Sequence, residues 1–573
     1  MPTMRLSRAA LIVALGCCLL TRAAADAVSV SAPLPPKAAV ASAHPAATAA
    51  GREILFAGGN AFDAAVAVAA ALAVVEPYAS GIGGGGFFLV HRAADGRQLM
   101  LDAREKAPAA ATRDMYLDET GEFVRTRSLN GALAAGIPGT PAALDHLAKH
   151  YGRLSLAQSL APAVRLAADG FEVTPRYERL AGFRKSAFAE QPVAAAIFLG
   201  ADGVVELGER ITQPALADTL RVLGERGAAG FYSGEIADRL VAGVRAGGGI
   251  WSLRDLADYA LVEREPIVTE YRGIRIVSAP PPSSGGIVMA EAFNILSEFD
   301  LSTMGELTRR HVVVEAMRRA YRDRAEFLGD PDYIDIPVGR LVSKAYGKRL
   351  AADLSTQTAT PSTSLRPLGG PKGRDTTHFS VLDAQGNRVA ATLSVNYPFG
   401  AVFVPDGTGV LLNNEMDDFS ARPLTPNAYG LVGVDANAIA PGKRPLSSMT
   451  PTFLETADRV GILGTPGGSR IISMVMIGIL QFADGAKPDS WVAAKRYHHQ
   501  YLPDEVQFER GGLSSDEQRD LKRRGHKLKE ISRNYGNMHA ILWNLAANEV
   551  YAASDPRGEG AADVFAIAPP LQR

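Results

Sequence analysis

Thr376 and Thr377 open the run Thr376-Thr377-His378-Phe379-Ser380-Val381-Leu382, directly after a Thr-, Ser-, Pro- and Gly-rich stretch from Ser355 to Asp375. The run reads as a strand, Asp383 to Asn387 as a turn, and Arg388 to Asn396 as the returning strand of a hairpin. A turn centred on Gln385 pairs Leu382 with Arg388 and carries the register to Thr376 opposite Ser394. Two hydroxyls then face each other at the strand end, with Cβ atoms about 5 Å apart. A second feature is Gly464-Thr465-Pro466-Gly467-Gly468-Ser469-Arg470, which leads into the apolar run Ile471 to Leu480. A helix starting there would present free backbone N–H groups to an anion or a developing oxyanion; taken alone, a plain glycine turn is the simpler reading.

Other schemes fail on context. Gly81-Ile82-Gly83-Gly84-Gly85-Gly86 matches the dinucleotide fingerprint literally, but a helix precedes it and the strand-like Phe87 to Val90 follows, the reverse of what that fingerprint needs. A glycine hinge where backbones approach closely is the better reading. No H-E-x-x-H, P-loop or G-x-S-x-G pattern occurs, and His498-His499 are adjacent in sequence, so structural histidines and chemistry without metal or cofactor are expected.

The elements that must position these residues belong to a chain of 573 residues with 60 Lys+Arg against 61 Asp+Glu and a net charge of −1, which argues against nucleic acid as a partner. Arg5, Arg8, the apolar run Ala9 to Leu20 and Ala23-Ala24-Ala25 have the grammar of a secretory signal, with cleavage expected after Ala25 and a periplasmic or extracellular destination. Both cysteines, Cys17 and Cys18, fall inside it. Residues 26–50 read as a loosely held leader, with the core starting near Gly51. Ala64 to Val75 is too short for a membrane span and suits a helix buried on all sides. Arg309 to Leu328 carries six arginines with acids interleaved, which predicts a solvated, salt-bridged helix face.

Together with Asn413-Asn414-Glu415-Met416-Asp417-Asp418 and Pro445-Leu446-Ser447-Ser448-Met449, the hairpin and the glycine turn resemble, in order, the small subunit of the γ-glutamyltransferases, which are N-terminal nucleophile hydrolases. Upstream, Leu101-Asp102-Ala103-Arg104-Glu105, Pro281-Pro282-Ser283-Ser284-Gly285-Gly286 and Tyr321-Arg322-Asp323-Arg324 extend the resemblance over nearly all of the chain after Gly51. It implies a four-layer αββα sandwich formed by two chains cut from one precursor. Residues 51–375 would be the large subunit, with 355–375 a flexible tail, and 376–573 the small catalytic subunit.

The resemblance also implies roles. Thr376 would attack the Asp375 carbonyl and free its own α-amine, whose ordinary pKa of about 7.7–8.0 lets it take the proton from the adjacent hydroxyl. The same hydroxyl would then attack the γ-carbonyl of glutathione or a related γ-glutamyl amide and pass the acyl group to water or to an amino-acid or peptide amine. Gly467 and Gly468 match the oxyanion hole, and Ser394, often Thr in relatives, would hydrogen-bond Thr376. Arg104, Ser447 and Ser448 match the clamp on the α-carboxylate; Glu415, Asp418 and Asn396 match the acceptors of the α-ammonium. Pro423 to Asp435, with Tyr429, resembles a lid over the pocket. The alternatives are an amidase acting on poly-γ-glutamate or on cephalosporin side chains, or a non-cleaving binding protein on the same scaffold.

Overall fold

The structure is a computed structural model that describes residues 33–200, 203, 205–365, 376–420 and 435–567. The signal segment, Asp375, most of the lid stretch and Tyr429 lie outside the described residues. Two antiparallel sheets form the centre. The larger one orders its strands Ala561–Phe565, Ala38–Ser42, Thr377–Leu382, Arg388–Ser394, Gly85–Arg92, Arg97–Ala103 and Val262–Arg264. The other runs Glu549–Ser554, His539–Asn544, Arg459–Gly464, Thr452–Glu455, Ile274–Ser278 and Ile267–Tyr271.

Strand alternation explains the layering. In Ala38–Ser42, Ala39 and Ala41 face the second sheet alongside Phe87, Leu89, Phe453 and Ile541, whereas Ala38 and Val40 face the helices, where Ala61–Val75 packs. On the far side Gly285–Leu296, Glu306–Phe327 and Ile471–Ala483 cover the second sheet. The result is the expected four-layer αββα sandwich.

Every residue of Ala61–Val75 is buried, and a capping box from Asn60 and Asp63 closes its N-terminus. Asp383 in the hairpin turn accepts from Ala61 N at 2.9 Å, which ties that turn to the helix start. The hairpin register is the expected one: Leu382 opposite Arg388, running to Thr377 opposite Leu393.

Three expectations need correction. The core starts well before Gly51, because Ala38–Ser42 is a fully buried strand held between two neighbours, so the loose leader cannot extend to residue 50. The arginine-rich helix Glu306–Phe327 is not solvated: Arg318, Arg319 and Arg324 are buried, and Glu315 answers the first two at 3.0 and 2.7 Å. Nor are residues 355–365 a loose tail. Arg318 donates to Ser362 Oγ at 2.7 Å, Arg319 to Thr360 Oγ1 at 3.1 Å, and Ala359 N to Arg524 O at 2.7 Å.

The Gly81–Gly86 segment is the close approach foreseen. A Cβ on Gly83 would lie 2.1 Å from the Leu411 carbonyl oxygen, and one on Gly84 2.1 Å from that of Ser394. Backbone cannot yield as a side chain does, so Gly83→Ala is expected to destabilise the protein by about 3 kcal/mol, the upper end of ordinary overpacking. Thermal unfolding checks this; an unchanged midpoint would contradict it.

Candidate active site

Thr376 immediately precedes the central strand Thr377–Leu382, and Ser394 ends the strand beside it. Alternation sends the two threonines to opposite faces. Thr377 donates its hydroxyl to Glu76 Oε2 at 2.8 Å inside the core, while Thr376 lines a cavity. The same cavity takes Ser394, Asn396, Arg104, Glu415, Asp418, Ser447, Ser448 and Gly468. Residues far apart in sequence therefore meet at one place. Gly467 is the exception, since it lines a neighbouring cavity on the same turn. Both glycines have positive φ, 140° and 56°, a conformation that side chains resist, so the turn into Ile471–Ala483 depends on them. Tyr321 fixes the turn by donating to Ser469 O at 2.5 Å.

Local hydrogen bonds fix each wall. Asn413 receives Gly136 N and Glu415 N and donates to Gly83 O and Gly136 O, at 2.7 to 3.0 Å, which seats Glu415 against the Gly81–Gly86 hinge. Asn396, at φ 75°, donates through its backbone N to Ser394 Oγ at 2.6 Å. Ser283 and Ser284 donate their hydroxyls to Met449 O and Ser447 O at 2.6 and 2.7 Å, so the Pro-Pro-Ser-Ser-Gly-Gly segment holds Pro445 to Met449 in place. Arg104 follows the end of strand Arg97–Ala103, its N–H donating to Asp102 and its carbonyl accepting from Tyr259.

The electrostatics are concentrated. Arg104 is wholly buried; its guanidinium meets Glu415 at 2.6 Å, Glu105 at 3.4 Å and Asp418. The two sides of the expected zwitterion clamp thus touch each other. Burial opposes the Arg104 charge, but Glu415, Asp418 and Glu105 outweigh it and hold its pKa above the ordinary value. Burial pushes the Glu415 carboxyl well up, and Glu415 Oε1 receives no hydrogen bond among the described residues. Such an acceptor suits a cationic ligand group.

Burial likewise pushes Glu105 up to about 7. Because the folded protein holds this proton more tightly than the unfolded chain, the stability involved is complete below the ordinary carboxylate range and is lost as pH rises toward 7. Glu105→Gln should therefore flatten the change in thermal midpoint between pH 5 and pH 7.5; an undiminished change would contradict this.

Arg324 has no site role in the sequence reading. It is 3% exposed and donates to Ser284 Oγ at 2.9 Å and Ser448 Oγ at 3.1 Å, with no ion pair among the described residues. Burial lowers its pKa to about 10. A buried guanidinium without a counter-ion, touching Ser448 at the cavity wall, is a ready anion partner. Its place in Tyr321-Arg322-Asp323-Arg324 was visible, but its orientation required the helix packing.

His498 meets Ser473 Oγ and Gln500 Oε1, both at 2.9 Å. His311, Glu315 and His526 bring possible ligand atoms within 4.8 Å of one another. His311 already meets His526 at 2.7 Å and Ser355 O at 2.8 Å, while Glu315 is taken by Arg318 and Arg319.

Comparison with known proteins adds an independent view of this geometry. A family model described as gamma-glutamyltranspeptidase matches residues 47–565. The chain is 42% identical to a glutathione hydrolase proenzyme of Pseudomonas sp. (strain A14), covering 96% of this chain and 97% of that protein. It is also 42% identical to the protein of that description from Escherichia coli (strain K12), covering 90% of each. Among solved structures, a cephalosporin acylase from Bacillus halodurans superimposes with a TM-score of 0.80 at 29% identity, covering 93% of this chain and 96% of the other.

Proposed function

Given that this chain belongs to the gamma-glutamyltranspeptidase family and is an enzyme, we propose that its Asp375–Thr376 bond is cut by Thr376 and that the freed residue is the nucleophile of γ-glutamyl transfer and hydrolysis. The observation that carries this reading is the convergence of Thr376, Ser394, Gly468, Arg104 and Glu415 on one cavity.

The neutral α-amine of Thr376 takes the hydroxyl proton as the oxygen attacks the γ-carbonyl. Backbone N–H groups of Gly467 and Gly468 stabilise the oxyanion, a contribution of about 3 kcal/mol per donor, and Ser394 orients the hydroxyl. The amine leaves with the proton, and water or an amino-acid or peptide amine takes the acyl group. The donor's α-carboxylate binds Arg104, Ser447 and Ser448 with support from Arg324, and its α-ammonium binds Glu415, Asp418 and Asn396. Ligand charges thereby replace the Arg104–Glu415 and Arg104–Asp418 contacts with equivalent ones.

The two products stay joined because strands alternate in origin: Ala38–Ser42 lies between Ala561–Phe565 and Thr377–Leu382 in one sheet. The amino-terminal segment supports export. Among the described residues no helix is long and apolar enough to cross a membrane.

The acylase neighbour raises a second reading, in which the acyl group is other than γ-glutamyl, for instance one that lacks the α-ammonium. Glutathione and a glutaryl amide separate the two, since their acyl groups differ only in that ammonium. A kcat/KM for glutathione higher by about 10² or more is expected, because the glutaryl chain leaves buried acceptors unpaired. The opposite order would overturn the γ-glutamyl reading.

A further inference from the structure

Glu76 follows the wholly buried helix Ala61–Val75, is itself buried, and joins no ion pair among the described residues. Hydroxyls take both of its carboxyl oxygens: Tyr78 donates to Oε1 at 3.0 Å and Thr377 to Oε2 at 2.8 Å. Burial holds the Tyr78 hydroxyl well above its ordinary pKa, so it stays a donor. The Glu76 carbonyl accepts from Ala79 N at 2.8 Å and from Ser80 N at 3.0 Å, which begins the turn into the Gly81–Gly86 hinge. The Tyr78 ring meets that of Phe399 edge on, with centres 6.1 Å apart, in the loop that follows Asn396. One buried residue thus joins the first residue of the strand Thr377–Leu382 to the hinge and to the Asn396 loop, which carry two walls of the Thr376 cavity. A carboxyl group enclosed in a core is costly compared with an apolar side chain of similar shape. The proposed acyl transfer does not touch it.

We propose that Glu76 is a positioning residue for the nucleophile. By holding the Thr377 hydroxyl in the core it fixes the backbone at the head of the strand, keeps the Thr376 hydroxyl aimed into the cavity, and bars Thr377 from taking its place. The inference rests on the assignment of Thr376 as nucleophile. Two adjacent threonines at a strand end carry the same hydroxyl, and only the face each one takes tells them apart. The ladder to the returning strand stops at Thr377 opposite Leu393, one residue short of Thr376. Once the chain is cut, Thr376 is a terminus joined to the protein by its bond to Thr377, so whatever fixes Thr377 limits how far the nucleophile can stray. Such limits carry weight, because a misplacement of about 1 Å can cost about 10²-fold in rate.

The test measures the rate of self-cleavage, and kcat and KM for γ-glutamyl-p-nitroanilide per processed molecule, in Thr377→Val, Thr377→Ser and the triple variant E76L/Y78F/T377V. Valine keeps the branched shape and loses the hydroxyl. Thr377→Val is expected to slow self-cleavage and to lower kcat, each by about tenfold or more, with KM within about twofold of the parent's; serine should restore most of both rates. The triple variant removes all three polar groups together and leaves none of them unpaired. Its thermal midpoint is expected to equal or exceed the parent's while its kcat stays about tenfold down, a split that a merely structural role would not produce. Self-cleavage and kcat within about twofold of the parent's in Thr377→Val would overturn the proposal. Complete loss of activity in Thr377→Val, with a parent fragment that begins at Thr377, would instead overturn the nucleophile assignment, and this inference with it.

Discussion

Thr376→Ala is expected to persist as one uncut chain and to lose γ-glutamyl transfer and hydrolysis by a factor on the order of 10⁶, the scale seen when an acyl-transfer nucleophile is removed. The two losses have one cause. Alanine keeps the strand and the backbone amide but supplies no oxygen to attack the Asp375 carbonyl. Without that cut there is no α-amine to act as base. Thr376 is only 4% exposed and lies at a strand end, so removing a hydroxyl and a methyl there leaves the sheet intact. Thr376→Ser separates the contributions, for it retains both oxygen and future amine and should still process, more slowly. A Thr376→Ala protein that splits normally would overturn the assignment.

Arg104 has the second largest expected effect, and it reaches stability as well as binding. Its side chain is the shared counter-ion of Glu415, Asp418 and Glu105. Arg104→Ala leaves these acids without their cation and is expected to cost about 3–5 kcal/mol, as breaking a buried ion pair does. Arg104→Lys preserves a charge but not the fork, so it should fold and yet raise KM for γ-glutamyl donors by about 10² or more. Urea unfolding and steady-state kinetics read the two effects separately. Equal stability of Arg104→Ala and the parent protein would show that the acids do not depend on Arg104.

How much of this could be read from residues alone varied with the physical signal. Hairpin register was legible because Asp383 to Asn387 makes a defined turn and strand pairing then leaves no freedom. The glycine hinge was legible because only a residue without a Cβ leaves room for a carbonyl oxygen 2.1 Å from where that Cβ would stand, as at Gly83 and Gly84. The strand Ala38–Ser42 was not, since Ala-Ala-Val-Ala-Ser has little β-propensity and, buried on both faces, shows no alternation of polar and apolar residues. The burial of Arg318, Arg319 and Arg324 escaped for a related reason. Arginine ordinarily marks a wet face; Glu315 on the same helix answers Arg318 and Arg319, but only tertiary placement of Asp504, Ser284 and Ser448 beside the helix Glu306–Phe327 completes their partners and those of Arg324. The site itself was recognisable as separate motifs. What the motifs could not state was that Arg104 touches both Glu415 and Asp418, or that Thr377 is spent on Glu76.

The account stands or falls on which residue carries the new amino terminus. Amino-terminal sequencing of the smaller fragment of the purified protein should read Thr-Thr-His-Phe-Ser, beginning at Thr376. A fragment beginning at Thr377 or elsewhere, or a fully active protein that remains a single unbroken chain, would contradict it.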